Sequence, residues 1–319
     1  MKNEVIQDYG KTVTSELYVN ALQGHQYIPQ ADHVIKRIIK KHLKEVAIFG
    51  PSIIDAGCGP GRLTFEIAEL GPSTVVGVDI SESFINYAEN KLSELASQHS
   101  PYLPFKFTCA DFGKKFSYEP DYANIILMQG VMHHIHDEDR DVWLKKCFRL
   151  LKSDGILVIG DEFIRDYKDA EERLLFVTEF YCHIIDEARK GGFDELAEEE
   201  AKNLVDDAFS DTEYAGYMTQ ECLGHIYNYA RMINEAFYKD GILRFEASNQ
   251  IRNLFNAICG SLKKMILANQ PHHNRGDYKT SVKKFTDELQ QYGFVLEEKY
   301  EIGPVEQLGG MGVLVFMKR

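Results

Sequence analysis

The sequence predicts an α/β fold, a doubly wound and mostly parallel sheet with helices on both faces. Three observations predict it. Short apolar runs recur at regular intervals from Ser52 onward, and stretches of helical periodicity separate them. The first run passes straight into the glycine-rich loop Gly57-Cys58-Gly59-Pro60-Gly61. Strands packed on both faces read as unbroken apolar runs, and their alternation with helices implies parallel order.

The elements follow in order. Tyr9 to Lys44 reads as helices, with Ala31, Val34, Ile35, Ile38 and Ile39 on one face and Lys36, Arg37, Lys40, Lys41 and Lys44 opposite. Ser52 to Asp55 is a strand, and Leu63, Ile67 and Leu70 line the helix after the loop. Strands are expected at Thr74–Asp79, Phe105–Cys109, Ala123–Met128 and Ile156–Gly160, with helices at Ser83–Ala96 and Asp139–Leu151. From Asp166 to about Gln270 the strand signal disappears. Helical stripes replace it, the first being Leu174, Val177, Tyr181, Ile184 and Ala188, stopped by Gly191-Gly192. Ser281 reads as an N-cap for a helix ending near Gly293. Phe294–Ile302 and Gly312–Met317 suit an antiparallel pair at a sheet edge. The chain therefore divides into N-terminal helices (1–45), a core (46–165), a helical cap (166–280) and the end of the core (281–319).

Composition narrows the function. A net charge of −13 disfavours nucleic acid as a partner, because phosphates would be repelled without a basic face. The lysines near position 40 are most simply the wet side of a helix. No apolar run approaches the ~18 residues of a membrane span, so no membrane role is expected. Met1-Lys2-Asn3-Glu4 does not begin a secretory leader, which predicts a cytoplasmic protein. The six cysteines form no CxxC pair, so they read as free thiols and offer no zinc site. A homodimer is compatible with these features.

The loop carries the chemistry. Its glycines let the backbone approach a ligand without a Cβ clash, and the following helix N-terminus presents free N–H groups suited to a carboxylate. The next strand ends Gly77-Val78-Asp79, where an acid can accept from both ribose hydroxyls. The third leads into Ala110-Asp111-Phe112, where Asp can accept from an adenine amino group and Phe can stack on the base. Open α/β sheets bind ligands at these carboxyl ends. A dinucleotide fingerprint would read GxGxxG, whereas the glycines stand at 57, 59 and 61.

Ile53-Ile54-Asp55-Ala56-Gly57-Cys58-Gly59-Pro60-Gly61 resembles the first motif of class I methyltransferases that use S-adenosylmethionine (SAM). Val76-Gly77-Val78-Asp79-Ile80-Ser81 resembles their second motif, Asp111-Phe112 the adenine motif, and Leu150 to Ile159 the late motif entering the fifth strand. The resemblance covers roughly 45–165 and 281–319. It implies a Rossmann-like sheet of seven strands, the last antiparallel, and SAM as cofactor. The cofactor residues it implies are Asp55, Gly57, Cys58, Gly59, Gly61, Asp79, Ile80, Asp111, Phe112 and Gln129. One departure is Asn124, where the family often has an acid at the start of the fourth strand.

An insertion between the fifth and sixth strands emerges on the cofactor's rim, where a lid could position an acceptor and exclude water. Its tyrosines either line that pocket or fill helix contacts. The fourth strand runs into Met132-His133-His134-Ile135-His136-Asp137. A histidine there can act as a base near neutral pH. The segment resembles plant-type small-molecule O-methyltransferases, which implies His133 as base and Asp161 as its acidic partner. Where the second histidine faces the pocket, His134 takes the role, and in a third reading both histidines only pack. His136 reads as helix-start chemistry. Asp161 and Glu162 alone make no metal cluster, so no metal is expected.

The expected function is methyl transfer from SAM to an oxygen or nitrogen of a small-molecule acceptor. A nicotinamide-dependent oxidoreductase and a non-catalytic SAM-binding interaction protein are the alternatives.

Overall fold

The computed structural model describes residues 27–46, 50–98, 105–170 and 278–319, with 15, 19, 22, 172–173, 175–177, 179–180 and 183. The helices expected before residue 27 and the cap expected at 166–280, except at its ends, lie outside the described residues.

The strands are β1 (Ser52–Ala56), β2 (Thr74–Asp79), β3 (Phe105–Cys109), β4 (Ala123–Gln129), β5 (Leu151–Ile164), β6 (Thr280–Ser281), β7 (Phe294–Ile302) and β8 (Gly310–Lys318). The helices are α1 (Ile28–Val46), α2 (Arg62–Ala68), α3 (Glu82–Gln98), α4 (Asp137–Leu150) and α5 (Val282–Gln290). Seven strands pair in the order β3-β2-β1-β4-β5-β8-β7, and the short β6 joins β5. The pairings among β1 to β5 are parallel, whereas β8 runs antiparallel to both β5 and β7.

At the central strands both sheet faces are buried, as the unbroken apolar runs require. Ile53, Ile125, Leu127, Val158 and Val313 face one layer with α1 and α2. Ile54, Ile126, Met128, Leu157 and Phe316 face the other with α4 and α5. The α1 stripe buries Ala31, Ile35, Ile38 and Ile39. The basic side of α1 is only partly solvated, because Lys36 pairs with Glu66, Lys41 pairs with Glu298, and Arg37 lies over the Tyr300 ring. From Glu297 to Glu301 the edge strand β7 alternates exposed and half-buried positions, and it carries Glu297, Glu298, Lys299 and Glu301.

The fifth strand differs most from expectation. Helix α4 stops at Leu150, and the chain is already extended at Leu151. The turn expected before Ile156 is a register shift within the strand, with Asp154 in the left-handed region at φ 63°. The strand then continues past Gly160 to Ile164, because β8 and β6 supply partners there. A Cβ on the paired Gly312 would stand 2.7 Å from the Phe163 ring. The glycine thus lets an aromatic side chain lie across the strand. Ser281 caps α5 by accepting from the Lys284 N–H at 3.1 Å.

Candidate functional site

The glycine loop is laid directly onto β2. The Gly57 and Cys58 N–H groups donate to the Val78 carbonyl at 2.7 and 3.1 Å. Gly57 has φ 79°, and a Cβ there would stand 2.5 Å from Val131. Any side chain at this position would be both strained and clashing. The Gly59 N–H donates to Asp79 Oδ2 at 2.9 Å, and the Ser81 N–H to Asp79 Oδ1 at 2.8 Å. The Asp79 carboxylate is thereby fixed at the end of β2.

Beside this loop lies a cleft of about 600 Å³ at the carboxyl ends of β1, β2 and β4. Gly57, Gly59, Asp79, Ile80, Asp111 and Phe112 line it. Asp111 Oδ1 accepts from the Lys114 N–H at 3.1 Å. Phe112 is packed between Phe116 and Trp143, so it forms a firm apolar wall. Gly130, with φ 65°, adds an open stretch of backbone where a Cβ would meet nothing within 4 Å. A glycine cradle, two carboxylates and an apolar wall thus meet in one cleft.

Four of the sequence-predicted cofactor residues do not line the cleft. Asp55 is buried beneath the loop, where it accepts from Thr64 Oγ1 at 2.6 Å and ties α2 to β1. Burial pushes its carboxyl up to about 6. Cys58 turns into the cluster of Phe65, Ile85 and Phe107, where burial pushes its thiol up. Gly61 starts α2, and the space its Cβ would need is taken by Phe65 and Phe107. Gln129 ends β4 with its amide lying over Gly160. The departure at Asn124 lies at the opposite end of the strand, where its side chain accepts from Ser52 N and Lys152 Nζ.

The two histidines diverge. Met132–His134 forms a 3₁₀ turn, and His134 lines the cleft. His133 is buried and turns the other way, its Nδ1 donating to Asp161 Oδ1. A carboxylate only accepts, so this bond places the proton on Nδ1. Asp161 also accepts from the Met132, His133 and Glu162 N–H groups at 2.7, 3.2 and 2.7 Å. It therefore holds the whole turn. The imidazole rings of His133 and His134 lie 3.8 Å apart between centroids. Glu162 faces the other side of His133, at 3.8 Å from Nε2, and pairs with the wholly buried Lys279 at 2.8 Å. A smaller pocket lies on this side, lined in part by His133, Asp161, Glu162 and Tyr278.

His136 accepts from the Glu138 N–H and caps α4. Burial raises the Asp137 carboxyl, but Arg140 and Arg173 outweigh it and hold the group below its usual range. Among the described residues no cluster of three His, Cys, Asp or Glu side chains could hold a metal ion, and no helix is long and apolar enough to cross a membrane.

Lys279 escaped sequence reasoning, because a lysine beside a polar loop gives no signal of burial. Trp143 could have been found, since it stands on the inward side of α4 beside Leu144 and Cys147.

Comparison with known proteins places residues 53–155 within a family described as "Methyltransferase domain". N-terminal Xaa-Pro-Lys N-methyltransferase 1-B of Xenopus laevis is 28% identical, over 67% of this chain and 99% of that protein. N-terminal Xaa-Pro-Lys N-methyltransferase 1 of Xenopus tropicalis is 31% identical, over 49% of this chain and 67% of that protein. Among solved structures, magnesium protoporphyrin IX methyltransferase from Synechocystis, with bound S-adenosylhomocysteine (SAH), is 12% identical at a TM-score of 0.46, covering 90% of this chain and 83% of that one.

Proposed function

Because the chain belongs to the SAM-dependent methyltransferases, we propose that it methylates a nitrogen or oxygen of a small-molecule acceptor, with His134 at the point of transfer. The observation that carries this reading is the divergence of the two histidines: His134 lines the cleft, while His133 is bonded to Asp161 behind it. The family rules out the nicotinamide-dependent oxidoreductase.

SAM, when bound, supplies an electrophilic methyl group on a sulfonium. The remaining work falls to the protein. Asp79 accepts from the ribose diol, and Asp111 from the adenine amino group. Phe112 and Trp143 wall off the base and exclude water. His134 takes the proton that the acceptor loses as its nitrogen or oxygen gains the methyl group. Asp161 and His133 act as positioning residues, holding the turn that aims His134.

A second reading is a peptide N-terminal amine as acceptor. The relatives favour it, since their names specify that acceptor and one aligns over 99% of its own length. Release of SAH in the presence of SAM, followed with a panel of small amines and alcohols and with peptides beginning Xaa-Pro-Lys, tests both. Turnover only with peptides would overturn the small-molecule reading. No SAH release with any acceptor, despite SAM binding, would favour the non-catalytic alternative.

A further inference from the structure

A buried ion pair stands behind the turn that presents His134. Lys279 is wholly buried, and its Nζ lies 2.8 Å from Glu162 Oε2. Stability explains such a pair poorly, because apolar side chains of similar volume often stabilise a fold as well. The same Glu162 oxygen lies 3.8 Å from His133 Nε2, too far for a hydrogen bond. The return of the chain from the cap fixes the lysine there. The Tyr278 N–H donates to the His133 carbonyl at 2.6 Å, and the Lys279 carbonyl accepts from Arg173 Nε at 2.7 Å. Thr280 and Ser281 then pair with the end of β5. One short segment thus brings a donor to the turn and a cation to Glu162.

Charged and titratable groups face His133 from every side. Among the described residues they are Asp161 and Glu162 of β5, Arg140 of α4, Tyr278 and Lys279 before β6, and His134 of its own turn. Arg140 is committed to Asp137 and Glu288. Asp161 is committed to the Nδ1 proton and to three N–H groups. Glu162 is divided between Lys279, which it meets, and His133 Nε2, which it only approaches. A carboxylate released beside Nε2 would favour a second proton there and turn His133 into an imidazolium. That cation would stand against His134, whose ring centroid is 3.8 Å away, and would oppose proton uptake by it.

We propose that Lys279 is a positioning residue for methyl transfer: it holds the Glu162 carboxylate off His133, so that His133 stays neutral and its neighbour His134 can take a proton. This rests on the reading of His134 as the base. Lys279 touches neither cofactor cleft nor His134 in this arrangement and acts through Glu162 and His133. It lies outside the matched methyltransferase domain, which ends at residue 155. The end of the cap thereby sets the charge behind the base.

The test is nuclear magnetic resonance of the full chain with ¹⁵N-labelled histidine, which reports the tautomer and charge of each ring and needs no acceptor. In the wild type, His133 should be neutral near neutral pH with its proton on Nδ1. In Lys279→Met it should become an imidazolium, and the titration midpoint of His134 should fall by about one pH unit or more. Lys279→Met combined with Glu162→Gln removes both charges and should return both rings to wild-type behaviour. An imidazolium at His133 in the wild type would overturn the proposal. So would rings unchanged in Lys279→Met, or a shift that the second substitution does not reverse. Should Lys279→Met fail to fold, the wild type and the double variant decide: a difference between their rings would mean that Glu162 acts on His133 despite Lys279, and a match with neutral His133 upholds the proposal. SAH release by His134→Ala over the acceptor panel decides separately whether His134 is the base.

Discussion

Replacing Asp161 with asparagine separates a structural strut from a catalytic partner. The Asp161 carboxylate accepts four hydrogen bonds, from the Met132, His133 and Glu162 N–H groups and from His133 Nδ1. Asparagine keeps the shape but turns one oxygen into a donor. Placed at the Oδ1 position, the new NH₂ can meet His133 only if the imidazole changes tautomer, and it still faces the Glu162 N–H. At the Oδ2 position it would face two N–H groups, so the first orientation is preferred. One buried N–H is then unpaired, costing about 1–3 kcal/mol. The two bonds to the remaining oxygen lose charge assistance, about 1 kcal/mol each. The sum is roughly 3–5 kcal/mol. At about 2–4 °C per kcal/mol, Tm should fall by roughly 6–20 °C. Thermal unfolding followed by circular dichroism measures the fall, and SAH release measures turnover per folded molecule. A Tm within about 2 °C of wild type together with a hundredfold loss of turnover would refute the strut. It would make the His133–Asp161 pair the catalytic unit.

Other outcomes follow from the same geometry. Asp79→Ala should weaken SAM binding at least tenfold, since a charged contact contributes about 1.5–3 kcal/mol; calorimetry that finds no change would remove Asp79 from the site. His134→Ala should lower turnover by about 10²–10⁴ and leave SAM affinity nearly intact, whereas His133→Ala should lower Tm; wild-type turnover in both would leave positioning as the source of catalysis. Asp55 has a folded-state carboxyl raised from 3.8 to about 6, so its ionisation opposes folding and stability should fall as pH rises through that window. Asp55→Asn should therefore flatten the decline in Tm between about pH 4 and 6 and leave the variant more stable than wild type, by an order of 2–3 kcal/mol above it. A Tm for Asp55→Asn below wild type at pH 8 would contradict this.

The core was legible where the signal is local. Strands β1, β2 and β4 announce themselves as apolar runs, because both faces of each are packed. The glycines at 57 and 61 could be read as backbone requirements before any contact was visible, though the loop's neighbours could not. The extension of β5 was not legible, since Asp161 to Ile164 is strand only because β6 and β8, more than a hundred residues away, supply the hydrogen bonds. The site divides the same way. Asp79 and Asp111 stand at strand ends, and strand ends can be counted. The direction in which each histidine points depends on Asp161 holding the turn, a tertiary fact. Asp32 stands next to Ala31 and three residues before Ile35, so helical spacing puts this acid on the buried face of α1.

The edge strand β7 bears on how copies of the chain could meet. An unpaired strand edge is a template for another strand. Two copies joined there about a twofold axis would each present the same patch to the other. The cluster Glu297, Glu298 and Glu301 would then be brought beside the same cluster of the second copy, with Lys299 as the one cation of the strand to offset them. Glu298 would also have to keep or surrender its tie to Lys41. The strand thus disfavours pairing with its own image at this margin. Pairing of that kind is left to the opposite margin of the sheet, β3, where Lys106 is the one charged residue.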